Sequence, residues 1–177
     1  MILRLYHASK DIITNIDLSI GRENSDFGQG FYLSDNIDFS YKWAKKNFYI
    51  NIYELDTTDL KIKHFSKDND WFEYIKNNRN FNDTLKDFDL IIGPISPDTI
   101  YNTYGIMTSG LIESNKALKI LLYGKNYIQY AVKSKKCLSQ LKYIESFIVD
   151  YNKLKTLKND VKKEEKEFQN YLLKILA

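Results

Sequence analysis

Cysteine, proline and glycine are scarce in this chain, and each scarcity removes a class of protein. The one cysteine, Cys137, excludes an internal disulfide and any cysteine-cluster metal site. It fits a reducing compartment. Two prolines and seven glycines leave no stretch that reads as a flexible linker, and no internal repeat occurs. Two histidines, His7 and His64, with one cysteine do not build a zinc site, so no metal is expected. No apolar run approaches the roughly 20 residues that span a bilayer. The start, Met1-Ile2-Leu3-Arg4-Leu5-Tyr6, lacks the basic segment and apolar run of a secretion signal. The expectation is a soluble, cytoplasmic protein. Phosphate-loop and dinucleotide glycine motifs are also missing: Gly28-Gln29-Gly30 lacks a third glycine and leads into a strand rather than a helix.

What is present is a core. Hydrophobic residues make up 44% of the 177 and aromatics 15%, which suffices for one domain with an appendage. The formal charge of +3 is mild, but it is unevenly placed. Residues 151–177 hold seven lysines against four acids and so account for all of it, leaving the preceding body neutral. A neutral body offers no general electrostatic grip on a nucleic-acid backbone. The basic tail reads as the wet face of a helix.

Ile2 to His7 reads as a first strand, followed by a polar connection to Gly21 with a short turn near Ile12 and Ile13. Gly30 to Ser34 is a second strand. Asn36 to Asn47 carries Phe39, Trp43 and Ala44 near one helical face. Phe48 to Leu55 alternates as a strand does, and Leu60 to Phe65 extends the pattern as an edge strand. A helix is expected over Asp70 to Asn77, capped by Asp70 or Asn69, then a short apolar strand from Asp89 to Gly93. Thr99 to Tyr104 and Ser114 to Leu122 read as helices, and Tyr127 to Val132 as the final strand, with Leu141–Ile144 after it. Beyond Asp150, Leu154, Leu157, Val161, Phe168, Tyr171 and Ile175 recur at three-to-four spacing, interrupted where Glu164 takes an apolar place. Strands first and last, without regular strand–helix alternation, indicate an α+β domain over residues 1–147 with a C-terminal amphipathic helical extension over 148–177.

The richest stretch is Asp26-Phe27-Gly28-Gln29-Gly30-Phe31-Tyr32-Leu33, preceded by Leu5-Tyr6-His7-Ala8-Ser9. Glycine lets backbone approach a ligand closely. Tyr32 brings a flat ring and a hydroxyl to that opening. Taken singly, His7 reads as a core histidine, the two glycines as an ordinary turn, and Tyr32 and Gln129 as packing residues. Their order along the chain is what points to a site.

That ordered set resembles a bacterial family catalogued as domain of unknown function 3990, and more broadly the ADP-ribosyltransferase fold of the histidine–tyrosine–glutamate branch. The resemblance rests on Leu5–Ser9, Asp26–Leu33, Trp43-Ala44, Ile50–Leu55, Asn78-Arg79, Asp89–Pro94 and Gln129, and spans residues 1–147. It implies a split antiparallel sheet with flanking helices. It implies NAD+ as donor substrate and displacement of nicotinamide from its ribose through an oxocarbenium-like transition state. His7, Tyr32 and Gln129 would be the catalytic set. His7 would hold the adenosine ribose, Ala8 and Ser9 the nicotinamide amide, and Tyr32 would stack on the nicotinamide ring, with Gly30 opening the approach. Arg22 and Arg79 are candidates for the pyrophosphate on the chemistry of the guanidinium alone. Two positions depart from the branch. Ala8 stands where a glycine is usual, which adds a methyl group. Gln129 stands where a glutamate is usual, and an amide supplies no negative charge to a cationic transition state.

Two functions stay open. One is an NAD+-dependent ADP-ribosyltransferase, which the resemblance places as the toxin of a toxin–antitoxin or phage-defence pair with a small protein antitoxin. Its acceptor could be protein, nucleic acid or metabolite. The other is an NAD+ or nucleotide-binding module whose catalysis is weak or lost at Gln129. A nucleic-acid binder working through the lysine-rich helix is the weaker third, since the body is neutral. The C-terminal helix either folds back on its own domain or docks a partner.

Overall fold

A computed structural model describes residues 1–96, 116, 119, 120 and 122–176. At its centre lie two long strands, β1 (Ile2–Ser9) and β3 (Tyr49–Asp56), in antiparallel register from Ile2–Asp56 to Ser9–Tyr49. β3 is buried on both faces, which explains its density of Ile, Tyr and Leu. The remaining strands are β2 (Phe31–Ser34), β4 (Ile62–His64), β5 (Leu90–Pro94), β6 (Ile128–Val132) and β7 (Leu141–Ile148). They join in one sheet of order β4-β5-β6-β2-β1-β3-β7. Four α-helices accompany it among the described residues: α1 (Ile37–Trp43), α2 (Asn69–Arg79), α3 (Lys135–Ser139) and α4 (Tyr151–Leu176). The fold is α+β.

The sheet is mixed, against the expectation of a split antiparallel one: the pairings are antiparallel except at one edge. β4 runs parallel to β5. Parallel neighbours need a crossover, and α2 supplies it. Asp68 caps α2, its carboxylate accepting from the Trp71 amide at 3.0 Å, and Trp71, Phe72, Tyr74 and Ile75 are buried beneath it. The helix after β2 is shorter than its apolar spacing suggests: α1 stops at Trp43 because Ala44 is extended and Asn47, at φ 66°, turns the chain into β3. The last strand is β7, not β6. β7 is an edge strand paired with β3, and its half-exposed side chains blur the alternation. The helix expected over 99–104 lies outside the described residues. Of the one expected over 114–122, Lys116, Lys119, Ile120 and Leu122 are described and helical.

Three apolar clusters result. Leu5, Leu33, Tyr53, Leu55, Tyr130 and Val132 fill one face of the sheet. On the other, Phe27, Ile91 and Ala131 meet α2, while Ile50 and Ile52 meet Tyr41 of α1 and Leu154 of α4. β1 and β2 pair through Tyr6 and Ser34. His7–Ser9 and Phe31–Leu33 are thus not ladder partners, and a cavity lies at this gap.

α4 packs back on its own body. Leu154 is buried, Tyr171 stacks on Tyr123 at 4.0 Å, and Lys153 reaches Asp38 of α1 at 2.6 Å. The acid that interrupts its apolar stripe is an anchor: Glu164 accepts from Lys42 at 2.8 Å, from Lys125 at 2.9 Å and from the Tyr127 hydroxyl at 3.3 Å. Burial pushes the Glu164 pKa up, but the two lysines outweigh it and hold the carboxyl below its ordinary range. A depressed folded pKa stabilises above the unfolded value and is lost as pH falls through the folded one. Glu164→Ala should therefore lower the melting temperature by about 2–5 °C at pH 7, with the difference from wild type shrinking below about pH 4. Thermal unfolding followed by circular dichroism across that range checks it.

Candidate functional site

The glycine turn is held from beneath. Gly28 has φ +74°, and a Cβ there would meet Asp83 Oδ2 at 2.6 Å and Lys133 Nζ at 2.7 Å. Those two groups form an ion pair of 2.9 Å, and Lys133 also donates to the Phe27 carbonyl. Burial lowers the Lys133 pKa, opposed by Asp83. At Gly30 a Cβ would stand 2.6 Å from the Val132 carbonyl, so β6 passes too close for any side chain. Tyr32 closes the turn from above: its hydroxyl donates to Gly28 O at 2.6 Å and accepts from the Phe27 amide at 3.0 Å. Burial raises the Tyr32 pKa far above the ordinary phenol value, so the group stays neutral. The tyrosine hydroxyl thus serves the turn, and Tyr32 borders the cavity.

His7 crosses the gap between β1 and β2. Its Nδ1 lies 2.7 Å from Tyr32 O, and its ring lies 4.5 Å from that of Phe31. A carbonyl only accepts, so Nδ1 carries the hydrogen and Nε2 is left as an acceptor. Burial lowers the His7 pKa, and the bond to Tyr32 O opposes this less strongly, so the imidazole is neutral near pH 7. Ala8 also lines the cavity. Ser9 does not: its hydroxyl accepts from Asn51 Nδ2 at 2.9 Å and donates to the Asp11 carbonyl, pinning the loop after β1.

Gln129 is 8% exposed and faces the same cavity. Its Nε2 donates to Asp26 Oδ2 at 3.2 Å. Asp26 Oδ2 also accepts from the Ser96 amide at 3.1 Å, and Asp26 Oδ1 accepts from Arg79 Nε at 3.0 Å and Nη2 at 2.6 Å. The two arginines therefore differ. Arg79 lines the cavity, but its guanidinium grips Asp26 and also reaches Ser96 Oγ at 3.1 Å. Arg22 borders the cavity and has no ion pair among the described residues.

The cavity measures about 780 Å³, within the range of small-molecule sites. His7, Ala8, Arg22, Gly30, Tyr32, Arg79 and Gln129 of the residues picked from the sequence border it, and Ser9 is the one left out. Asp26 was missed as a site residue, although it opens the glycine motif. Phe39 and Trp43 of α1 border the cavity too, with Trp43 57% exposed. Among the described residues no group of three or more His, Cys, Asp or Glu could hold a metal ion, and no helix is long and apolar enough to cross a membrane. The arrangement offers a flat ring, two neutral acceptors and the Arg22 guanidinium, a set suited to a sugar-linked phosphate with an aromatic base.

A family model described as a protein of unknown function, DUF3990, matches residues 3–143. No curated protein and no solved structure matches the chain.

The His7 geometry is directly testable. Its imidazole should titrate below 6.5 and show the Nδ1–H tautomer at pH 7, read from ¹⁵N–¹H long-range correlation spectra. A ring protonated on both nitrogens at pH 7 would contradict the burial and the bond to Tyr32 O.

Proposed function

The chain belongs to the DUF3990 family, and from that membership and the cavity we propose that it is an NAD+-dependent ADP-ribosyltransferase. The observation that carries the reading is the convergence of His7, Tyr32 and Gln129. They come from three neighbouring strands, β1, β2 and β6, onto one cavity at the β1–β2 gap. Bound NAD+ would supply the bond that breaks: C1′–N1 of the nicotinamide ribose cleaves, its electron pair leaves with nicotinamide, and an acceptor nucleophile bonds C1′ and gives up a proton.

In this reading His7 Nε2 accepts from a ribose hydroxyl, Tyr32 offers its ring face to the nicotinamide, and Arg22 meets the pyrophosphate. Gln129 accepts from a hydroxyl of the nicotinamide ribose. Backbone groups of Ala8 hold the amide of the base. Ser9 acts on them through Asn51 and the loop rather than by touching ligand. The wall of α1 with Trp43 borders the acceptor side, where protein, nucleic acid or metabolite would enter, and where a small protein antitoxin would block entry.

A second reading rests on one observation. Gln129 is an amide, and the missing negative charge is worth about 3 kcal/mol, or a factor of about 100 in rate. A binding module would take up NAD+ and release no nicotinamide. The experiment is nicotinamide release from NAD+ by the purified protein in cell lysate, beside a Tyr32→Ala, Gln129→Ala double variant. Release by wild type, slower by at least about 100-fold in the double variant, is expected. Saturable NAD+ binding without release by either protein would replace the transferase with the binding module.

A further inference from the structure

We propose that Asp26 is a positioning residue that fixes Gln129 as a hydrogen-bond acceptor toward the cavity, and that Asp26 is the reason position 129 carries an amide. The ligand group this would serve, a sugar hydroxyl, rests on the transferase reading; the positioning itself does not.

A glutamine side chain has one donor end and one acceptor end. At Gln129 the donor end faces Asp26 Oδ2 at 3.2 Å. Asp26 is the anion of an ion pair with Arg79 at 2.6 Å, and only 14% of its side chain is exposed. An ionised carboxylate only accepts, so the opposite orientation of the amide would set oxygen against oxygen. The acceptor end, Oε1, is thereby the end left for the cavity that Gln129 borders. Asp26 is itself held on both oxygens. Arg79 takes Oδ1, and the Ser96 amide shares Oδ2 with Gln129. The backbone carbonyl of Asp26 is fixed as well, accepting from Asn78 Nδ2 at 3.1 Å.

A glutamate in place of Gln129 would set a second carboxylate against the first. Two carboxylates at hydrogen-bond distance do not both ionise freely, and one pKa rises strongly. The amide at this position is thus matched to its neighbour rather than a decayed acid. The other ionisable groups around the cavity are Tyr6 and His7 on β1, Tyr32 on β2, Arg79 on α2, and Asp11, Asp17 and Arg22 on the loop before the glycine turn.

The test is thermal unfolding of the full chain as wild type, Gln129→Glu and Asp26→Asn/Gln129→Glu between pH 5 and 8. The carboxyl introduced by Gln129→Glu would have its folded pKa raised above the unfolded value. Its stability is then complete at low pH and lost as pH rises. The expected result is a melting temperature for Gln129→Glu that falls, relative to wild type, by about 4 °C or more across the range. Most of that slope should vanish in the double variant. His7, the other group that titrates nearby, meets the introduced carboxyl in both variants, so the difference between their slopes isolates Asp26. A Gln129→Glu profile parallel to wild type, or an equal slope in the double variant, would overturn the assignment. Should Asp26→Asn/Gln129→Glu not fold, Asp26→Ser/Gln129→Glu takes its place and is read in the same way, because burial alone raises a carboxyl pKa and only the difference between the two slopes belongs to Asp26. No turnover is needed. If nicotinamide release fails while the slope appears, the transferase reading falls and the role of Asp26 stands.

Discussion

The carboxylate of Asp26 joins four parts of the chain that lie far apart in sequence. It sits at the mouth of the glycine turn and takes donors from α2, from the segment after β5 and from β6. Burying a carboxylate is costly unless it is paired and hydrogen-bonded, and here both oxygens are occupied. The turn can then lie against β6, where Gly30 admits the Val132 carbonyl, and the Tyr32 hydroxyl is held on the turn by Gly28 and Phe27. The lower half of the turn repeats the logic with Lys133 and Asp83. The glycine turn is thus fixed by two largely buried ion pairs, one through Asp26 and one that reaches the Phe27 carbonyl.

The cavity follows from the strand geometry around that turn. β2 pairs with β6 along its whole length but with β1 through Tyr6–Ser34 alone. His7 fills the gap by binding the Tyr32 carbonyl, which holds the imidazole in one tautomer. The polar groups at the β1–β2 gap, His7 and Gln129, are neutral, and the nearest anion, Asp26, is already matched to a guanidinium, while Arg22, Asp11 and Asp17 bring charge to the cavity's border. Such a site favours a ligand that brings hydroxyls and its own charge.

Much of this was legible in the sequence, and the reasons for the rest are physical. The strands β1, β2, β3, β5 and β6 and the extension α4 announce themselves by period and by the glycine turn, since those signals are local. β7 was read only as an apolar segment because an edge strand buries little and its alternation is weak. The parallel edge depended on α2 crossing over, which no single window contains. Seven of the eight site residues named from the sequence border one cavity, because the ordered motifs mark the elements that surround it. Asp26 went unassigned because its partners lie 53, 70 and 103 residues away. Glu164 looked like a flaw in an apolar stripe for the same reason: Lys42 is 122 residues distant.

These separations also set when the cavity exists. β1 and β3 are close in sequence and close a loop cheaply, whereas β2 must wait for β6, with Ser34 bonded to the Ile128 carbonyl across 94 residues. On a chain emerging from the ribosome, His7 and Tyr32 are present long before Gln129, and the Asp26 cluster has no β6 to close on. The cavity is a late product of synthesis, completed only once the body of the protein has been made.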